Sequence, residues 1–502
     1  MNYRSTRGQS DQVLAAEAIL RGLAPDGGLY VPELFPILSV SELISLKKAN
    51  YQERAFRIMR LFLPEFSEPE LKNCISAAYN HNTFDDPAVA PLKQLTSDVH
   101  ILELWHGPTS AFKDMALQML PRLHMVSVTK AVQTQGTVIL VATSGDTGKA
   151  ALEGFKNVDG TQIIVFYPQD GVSEVQKQQM LTQEGSNVFV VGVLGNFDDA
   201  QTGVKQIFND QEMIGLLAEA GLTMSSANSI NWGRLLPQIV YYISAYVDLM
   251  SDDQINNQMP VNFTVPTGNF GNILAAYYAS RMGIPVHKLI CASNSNNVLT
   301  DFLHTGEYNR QRDFFQTISP SMDILISSNL ERLLYELTDH DTTRVSGWMH
   351  NLNQAGYYTV DAPVLKQLHQ LFEADFCDDS KTLQTIREVW NQEQYLLDTH
   401  TAVAFQVYQN YRKFSGDTTP TVIVSTASPF KFTHSVARAV LSSEQIAEAG
   451  NEFDLINTLA KITDQPVPLP LCNLDQKPIL HSSVCQKTEM ADTVLKLLGL
   501  IS

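Results

Sequence analysis

Residues 137–155 read TVILVATSGDTGKAALEGF, which predicts a strand, a loop with two glycines and a helix in a single run. The apolar, β-branched segment Thr137–Thr143 is typical of a buried strand, and Lys149–Phe155 has the apolar spacing of a helix. Further buried strands are expected at residues 163–167, 188–193, 263–265, 286–291 and 421–425, with helical segments between them. This alternation predicts an α/β protein with a mainly parallel sheet that helices cover on both faces.

The length and composition of the chain agree with a large globular α/β protein. Its 502 residues are 44% hydrophobic and 18% charged, which leaves little room for long disordered tracts. We expect a mainly helical N-terminal domain over residues 1–97, an α/β region of two subdomains over 98–440, and a C-terminal helical segment over 441–502.

The charge balance limits the classes of partner. Lys and Arg number 35 against 53 Asp and Glu, and a net charge of −18 opposes binding to nucleic acid or to an anionic membrane. Any anionic ligand must therefore be held by local donors. The five cysteines form no CxxC pair, and no apolar run reaches the roughly 18 residues of a membrane span. These features predict a cytoplasmic protein without a disulfide framework or a metal site.

Lys113 is the first candidate for chemistry. It lies in His106–Asp114, which reads HGPTSAFKD, after a Gly-Pro turn and next to Phe112. Partial burial there would lower the pKa of the amine and make it a nucleophile that forms a Schiff base. The alternative is an ordinary surface lysine at the start of a helix, and the rest of the sequence decides between the two.

Two loops have the composition of anion sites. Gly268–Asn272, which reads GNFGN, lies between a predicted strand and a predicted helix, where glycines and free helix N–H groups suit a phosphate. An ordinary strand-to-helix turn is equally compatible with the glycine spacing. The second loop, Thr143–Lys149, fails as a nucleotide P-loop because Thr143 stands in place of the first glycine and Ala150 in place of the final Ser or Thr.

Taken together, these segments resemble threonine synthase, a pyridoxal-phosphate enzyme of the tryptophan synthase β-like fold, fold type II. The resemblance covers most of the chain, and the ordered pair Phe-Lys-Asp and Gly-Asn-Phe-Gly is its most specific part. The matching segments are residues 3–8, 22–32, 106–109, 112–114, 144–148, 228–234, 268–272, 319–324 and 425–427.

The resemblance implies a cofactor, pyridoxal 5'-phosphate, and a role for several residues. Lys113 would carry the cofactor as a Schiff base and act as the catalytic base. Thr426 would face the pyridine nitrogen, and Asp146 would lie near the phenolic oxygen of the ring or the substrate carboxylate. The cofactor phosphate would be held by Gly268, Asn269, Phe270, Gly271 and Asn272.

The implied substrate is O-phospho-L-homoserine, which would lose phosphate and add water to give L-threonine. Its phosphate needs a second anion site, for which the candidates are Ser144, Thr147, Asn231 and Arg234. The guanidinium of Arg234 offers the planar, charge-assisted donors that phosphate oxygens prefer. The expected partner is thus a small molecule, and the chain is expected to be a monomer or a homodimer.

Two positions depart from the family pattern, and other functions stay open. Ser428 follows the Thr-Ala pair where many relatives have histidine, and Asn272 stands where some relatives have aspartate. His400 matches a family motif, although a lone histidine at a helix start is more typical of a structural role. The alternatives are a phospho-lyase of the same architecture that releases a keto acid and a noncatalytic ligand-sensing relative. A metal hydrolase has little support because no HExxH spacing occurs.

Overall fold

Two mainly parallel sheets form the body of the protein in the computed structural model, which describes residues 1–133, 135–169, 172–251, 254–256 and 258–501. The strands are β1 Asn2–Ser5, β2 Val13–Leu14, β3 Tyr30–Pro32, β4 Leu92–Gln94, β5 Val99–Glu103, β6 Gly136–Ala142, β7 Thr161–Pro168, β8 Val188–Leu194, β9 Leu222–Ser225, β10 Val261–Pro266, β11 Val286–Ser293, β12 Glu307–Asn309, β13 Tyr357–Thr359, β14 Phe372–Phe376, β15 Thr421–Ser425 and β16 Ser483–Gln486.

Helices cover the sheets and build most of the N-terminal part. They are α1 Ala15–Arg21, α2 Val40–Leu46, α3 Tyr51–Met59, α4 Glu68–Ala78, α5 Lys113–Leu117, α6 Leu120–Lys130, α7 Asp146–Phe155, α8 Glu174–Leu181, α9 Phe197–Asn209, α10 Gln211–Glu219, α11 Trp232–Ser251, α12 Gly271–Arg281, α13 Val298–Thr305, α14 Leu330–Leu337, α15 Thr342–Gln354, α16 Ala362–Leu371, α17 Asp379–Glu393, α18 Thr399–Ser415, α19 Thr433–Val440, α20 Ser443–Ala449, α21 Glu452–Thr463 and α22 Met490–Leu497.

The larger sheet has six strands in the order β14-β11-β10-β15-β5-β4, and only the edge strand β4 runs antiparallel to its neighbour. The smaller sheet has five strands in the order β16-β8-β7-β6-β9, all parallel. The α/β class and the parallel sheets flanked by helices are therefore as predicted. The six strands expected from apolar runs are β6, β7, β8, β10, β11 and β15.

The order of the larger sheet determines where functional groups meet. Strands β10, β15 and β5 are adjacent and parallel, so their carboxyl ends lie at one edge of the sheet. The chain leaves β10 into the loop at residues 268–272, leaves β15 at residue 426, and leaves β5 into the segment that ends at Lys113. In open parallel sheets, ligands bind at the carboxyl ends of the strands.

Helix α11 lies at the centre of the molecule. Its side chains are buried on every face, from Trp232 to Met250, as is typical of a helix inside a core. It packs against α12 and α5, and against α3 of the N-terminal part. The N-terminal helices therefore share one continuous apolar core with the larger sheet.

The C-terminal part is not only helical. Besides α20, α21 and α22 it contributes β16, which pairs with β8 in parallel and extends the smaller sheet at its edge. This strand was not expected from the sequence. No helix within the described ranges is both long and apolar enough to span a membrane.

Candidate active site

Lys113 is held at the edge of the larger sheet by backbone contacts with the end of β15. The Phe112 N–H donates to the Thr426 carbonyl over 2.8 Å, and the Ser428 N–H donates to the Ser110 carbonyl over 3.1 Å. Ser110 has a left-handed φ of 57°, which turns the chain into the first residue of α5. The side chain of Lys113 is 7% exposed. The sheltered position expected from the sequence is therefore what the structure shows.

The amine of Lys113 has an unusual electrostatic environment. Its Nζ donates to Ser321 Oγ at 3.2 Å and lies 3.5 Å from Asp146 Oδ2. Burial lowers the pKa of Lys113 to about 8; the carboxylate of Asp146 opposes this shift, and the charges of Arg234 and Lys431 add to it. The amine therefore loses its proton at a lower pH than an exposed lysine, as a nucleophile or proton acceptor requires.

The loop at residues 268–272 forms a turn that leads into the start of α12. Phe270 has a left-handed φ of 62° immediately before the helix begins at Gly271. Such an alternation of left- and right-handed residues makes a concave set of N–H donors that binds anions. Ser327 Oγ and Asn329 Nδ2 donate to the loop carbonyls of Gly268 and Asn269 over 2.8 and 3.0 Å, which fixes the turn.

Two features of this loop suit a phosphate. A side chain at position 268 would collide with Ser321, whose carbonyl oxygen would lie 2.8 Å from a Cβ there. The Oδ1 atom of Asn272 accepts hydrogen bonds from Tyr241 and Tyr242 at 2.5 and 2.7 Å. Its Nδ2 is buried and has no partner within the described part of the chain. An orphan donor at a helix N-terminus fits the phosphate of pyridoxal phosphate.

Asp146 is the most connected side chain of the site. It begins α7 after the strained turn at Gly145, and its Oδ1 accepts from Gln176 Nε2 at 2.8 Å. Its Oδ2 accepts from Ser321 Oγ at 3.1 Å. Burial alone would raise the pKa of Asp146, but the ammonium groups of Lys431 and Lys113 hold it well below its usual range. Asp146 is therefore a fixed negative charge next to Lys113.

Thr426 directly follows β15 and is 5% exposed. Because its carbonyl holds the backbone of Phe112, Thr426 lies one hydrogen bond from the segment that carries Lys113. Ser425 before it is engaged elsewhere, since its hydroxyl accepts from Trp105 Nε1 at 3.1 Å.

The predicted substrate ligands differ in their burial and in their contacts. Ser144 and Thr147 are half-buried on either side of Asp146, and Arg234 is buried and acts electrostatically on Lys113. Burial lowers the pKa of Arg234 to about 10, and the guanidinium donates one hydrogen bond to the Ala227 carbonyl at 2.7 Å.

Asn231 is used inside the protein. Its Nδ2 donates to the carbonyls of Ile19 and Ser226 at 2.9 and 3.3 Å, and its Oδ1 accepts from the Gly233 N–H at 2.9 Å. It ties helix α1 to the start of α11. The sequence predicts Asn231 as a ligand of the substrate phosphate, whereas these hydrogen bonds connect it to other parts of the protein.

Three residues at the site were not assigned from the sequence. Lys431, Gln176 and Ser321 all contact Asp146. Ser321 lies in a segment that matches the family, and Lys431 lies three residues after Ser428, so the sequence pointed to both regions. No sequence pattern pointed to Gln176. His400 accepts from the backbone N–H of Ser321 at 3.1 Å and thus supports the site through that segment.

Three family models match the chain. They are "Threonine synthase N terminus" at residues 2–79, "Pyridoxal-phosphate dependent enzyme" at residues 87–350, and "Threonine synthase, C-terminal" at residues 401–477. The second alone matches more than half of the chain.

Curated relatives and a solved structure agree with these matches. The chain is 43% identical over 487 residues to human threonine synthase-like 1, covering 95% of this chain and 63% of that protein, so it spans less than two thirds of that relative's length. It is 40% identical over 442 residues to threonine synthase of Pseudomonas aeruginosa, with 88% and 90% covered. The crystal structure of threonine synthase from Brucella melitensis with bound pyridoxal phosphate matches with a TM-score of 0.86 and 38% identity, covering 98% of both chains. The chain therefore belongs to the threonine synthase family of pyridoxal-phosphate-dependent enzymes.

Proposed function

We propose that this protein converts O-phospho-L-homoserine and water into L-threonine and phosphate. The observation that carries the proposal is that a buried amine, Lys113, lies close to the glycine turn at residues 268–272. One segment, which contains Ser321, contacts both. The hydroxyl of Ser321 accepts from the Lys113 amine, and its backbone carbonyl packs against Gly268 of the turn. Family membership adds the cofactor, pyridoxal phosphate.

The turn at residues 268–272 would hold the cofactor phosphate, through its backbone N–H groups and the free Nδ2 of Asn272. Lys113 would hold the aldehyde end, and Thr426 would meet the pyridine nitrogen. When bound, pyridoxal phosphate withdraws electrons from the carbon skeleton of an amino acid, which allows a proton and then a phosphate to leave. The hydroxyl of Thr426 carries no charge, so it does not force protonation of the ring as a carboxylate would.

Lys113 would move the protons of the reaction. Its pKa near 8 leaves the amine able to take the α-proton of the substrate and to return protons later. Asp146 next to it would orient the amine and stabilise its protonated form, since the carboxylate lies 3.5 Å from Nζ. A positioned base contributes about 10²–10⁴-fold to such a step.

Arg234, Ser144 and Thr147 would bind the substrate phosphate. Among the described residues, the Arg234 guanidinium donates to the Ala227 carbonyl, and a guanidinium has five N–H donors, so others are available to a phosphate. Charge-assisted bonds of this kind are about twice as strong as neutral ones. The burial of Arg234 excludes water from the contact and so increases its strength.

We also infer that the protein acts in the cytoplasm, as a monomer or a homodimer. All five cysteines are free and four of them are buried, which suits a reducing compartment. Size-exclusion chromatography with light scattering measures the oligomeric state.

An isotope experiment tests the proposed reaction. The purified protein, loaded with pyridoxal phosphate, is incubated with O-phospho-L-homoserine in water enriched in ¹⁸O, and the products are analysed by mass spectrometry. The label should enter the threonine hydroxyl and not the released phosphate, because the C–O bond breaks and water adds to carbon. The Lys113→Ala variant is the matched control and should form no threonine.

Other products would contradict the proposal in distinct ways. Ammonia and 2-oxobutyrate without threonine would identify a phospho-lyase. Homoserine with ¹⁸O in the phosphate would identify simple phosphate-ester hydrolysis. No turnover of any phospho-amino acid by a protein that binds the cofactor would indicate a ligand-sensing relative.

A further inference from the structure

A second buried lysine lies at the active site, on the other side of Asp146 from Lys113. Lys431 belongs to the short 3-10 helix Pro429–Phe432 and is fully buried. Its Nζ lies 2.7 Å from Asp146 Oδ1 and donates to the Thr109 carbonyl at 2.8 Å. The role that the family resemblance gives to Lys113 does not involve this amine.

The two lysines share one carboxylate unequally. Lys431 contacts Oδ1 of Asp146 at 2.7 Å, whereas Lys113 is 3.5 Å from Oδ2. Gln176 and Ser321 add neutral donors, one to each oxygen, at 2.8 and 3.1 Å. The negative charge of Asp146 is therefore balanced mainly by Lys431, and less of it is available to Lys113.

This arrangement matters because a lysine paired closely with a carboxylate stays protonated and is a poor nucleophile. The charged groups that act most on Lys113 come from three elements: Asp146 at the start of α7, Arg234 in α11 and Lys431 in the 3-10 helix. Only Asp146 among them favours the protonated amine.

We propose that Lys431 is a positioning residue: it forms the main ion pair with Asp146 and so leaves Lys113 as a free amine. Lys431 also ties the Thr109 end of the lysine-bearing segment to the loop after β15, through the carbonyl contact. Without its charge, Asp146 would pair with Lys113 alone and hold it protonated. The proposal deepens the proposed function, since it rests on Lys113 being the reactive amine.

The alternative is that Lys431 only packs the site. In that case its removal would loosen the structure without a specific effect on the protonation of Lys113. The two interpretations differ in the pH at which Lys113 becomes reactive.

Competitive labelling with acetic anhydride measures this pH directly. The full-length protein, freed of cofactor with hydroxylamine, is labelled at a series of pH values, and the modification of Lys113 is measured by peptide mass spectrometry. In Lys431→Met the midpoint should rise by about one pH unit or more, so that Lys113 is labelled about tenfold less at pH 7. Lys431→Arg keeps the charge and should restore the midpoint.

Lys149→Met is the matched control. Lys149 is also a buried lysine in an ion pair, with Glu153 at 3.1 Å, but Asp146 is not its partner. Its replacement should leave the Lys113 midpoint unchanged. Circular dichroism of each variant verifies that the fold is retained.

An unchanged or lower Lys113 midpoint in a folded Lys431→Met protein would overturn the proposal. If that variant does not fold, Lys431→Gln takes its place: it keeps a neutral donor near the Thr109 carbonyl but loses the charge, and it should raise the Lys113 midpoint in the same direction. Labelling of Lys431 before Lys113 would overturn the proposal as well. The labelling requires no cofactor or substrate, so its result is independent of whether the protein makes threonine.

Discussion

Asn272 offers a sharp test of how the cofactor phosphate is bound. Its Oδ1 accepts from the hydroxyls of Tyr241 and Tyr242, which pairs one end of the amide. The Nδ2 atom is left as a buried donor without a protein partner among the described residues. Asn272→Asp keeps the size and the two tyrosine contacts but replaces this donor with a carboxylate oxygen. The change removes one donor and leaves the packing unaltered.

The magnitude follows from these contacts. A hydrogen bond to a charged group contributes about 1.5–3 kcal/mol, so its loss should weaken pyridoxal phosphate binding roughly 10- to 150-fold. The added negative charge acts in the same direction. Fluorescence titration of the cofactor-free protein measures the apparent Kd, and thermal unfolding measures stability, which should fall as well because the new carboxylate is buried without a cationic partner among the described residues.

Asn272→Ala tests the two tyrosine contacts. It removes the acceptor of the Tyr242 hydroxyl, whereas Tyr241 can still donate to Gln238 at 3.2 Å. A buried hydroxyl without a partner costs about 1–3 kcal/mol, so this variant should unfold at a lower temperature. If Asn272→Asp binds the cofactor as tightly as the wild type, the orphan amide does not contact the phosphate and the reasoning is refuted.

Three further perturbations have defined outcomes. Lys113→Ala should abolish the visible absorbance band of the loaded protein, measured by spectrophotometry, and a retained band would assign the Schiff base to another lysine. Gly154→Ala should lower the melting temperature, because a Cβ there would lie 2.0 Å from the Leu117 carbonyl oxygen and force α5 and α7 apart at a cost of at least about 1–3 kcal/mol. Burial opposes the charged form of His106, but hydrogen bonds with the two carboxylates beside its ring raise its pKa to about 9. Because the folded value lies above the unfolded one, this stabilisation is complete below about pH 6.5 and is lost as the pH rises through 9, by about 3 kcal/mol at most. His106→Gln should flatten the pH dependence of unfolding in that window, and an unchanged slope would contradict the ion-pair account.

The central strands could be predicted because of their burial. Parallel strands covered on both faces are continuous apolar runs, and β6 and β15 were located within one or two residues from that pattern. β16 was missed because an edge strand needs no apolar run: Ser483–Gln486 has one buried side chain, Cys485. It forms because β8 has a free edge, and that is a property of the folded sheet rather than of the local sequence.

Some parts of the candidate site could likewise be predicted from the sequence, and others could not. Lys113 and the glycines of the 268–272 turn could be proposed from the sequence because backbone geometry and chemistry restrict such positions to few residue types. The contacts of Asp146 with Gln176 and Lys431 join segments far apart in the chain, so spacing could not reveal them. Asn231 shows the same limit, since an amide suits a ligand and a carbonyl equally well and the sequence does not show which partner it has.

The charge distribution explains how an acidic protein can bind anionic ligands. The chain carries a net charge of −18, which repels phosphate esters at long range. At the site, the charges that act most on the Lys113 amine are two cations, Arg234 and Lys431, and one carboxylate, Asp146. Counting Lys113 itself, the local balance is positive, and the burial of these groups limits screening by salt. The surface charge is therefore available for solubility, while in the proposed site the affinity for phosphate would depend on a few buried cations and on the N–H groups of one turn.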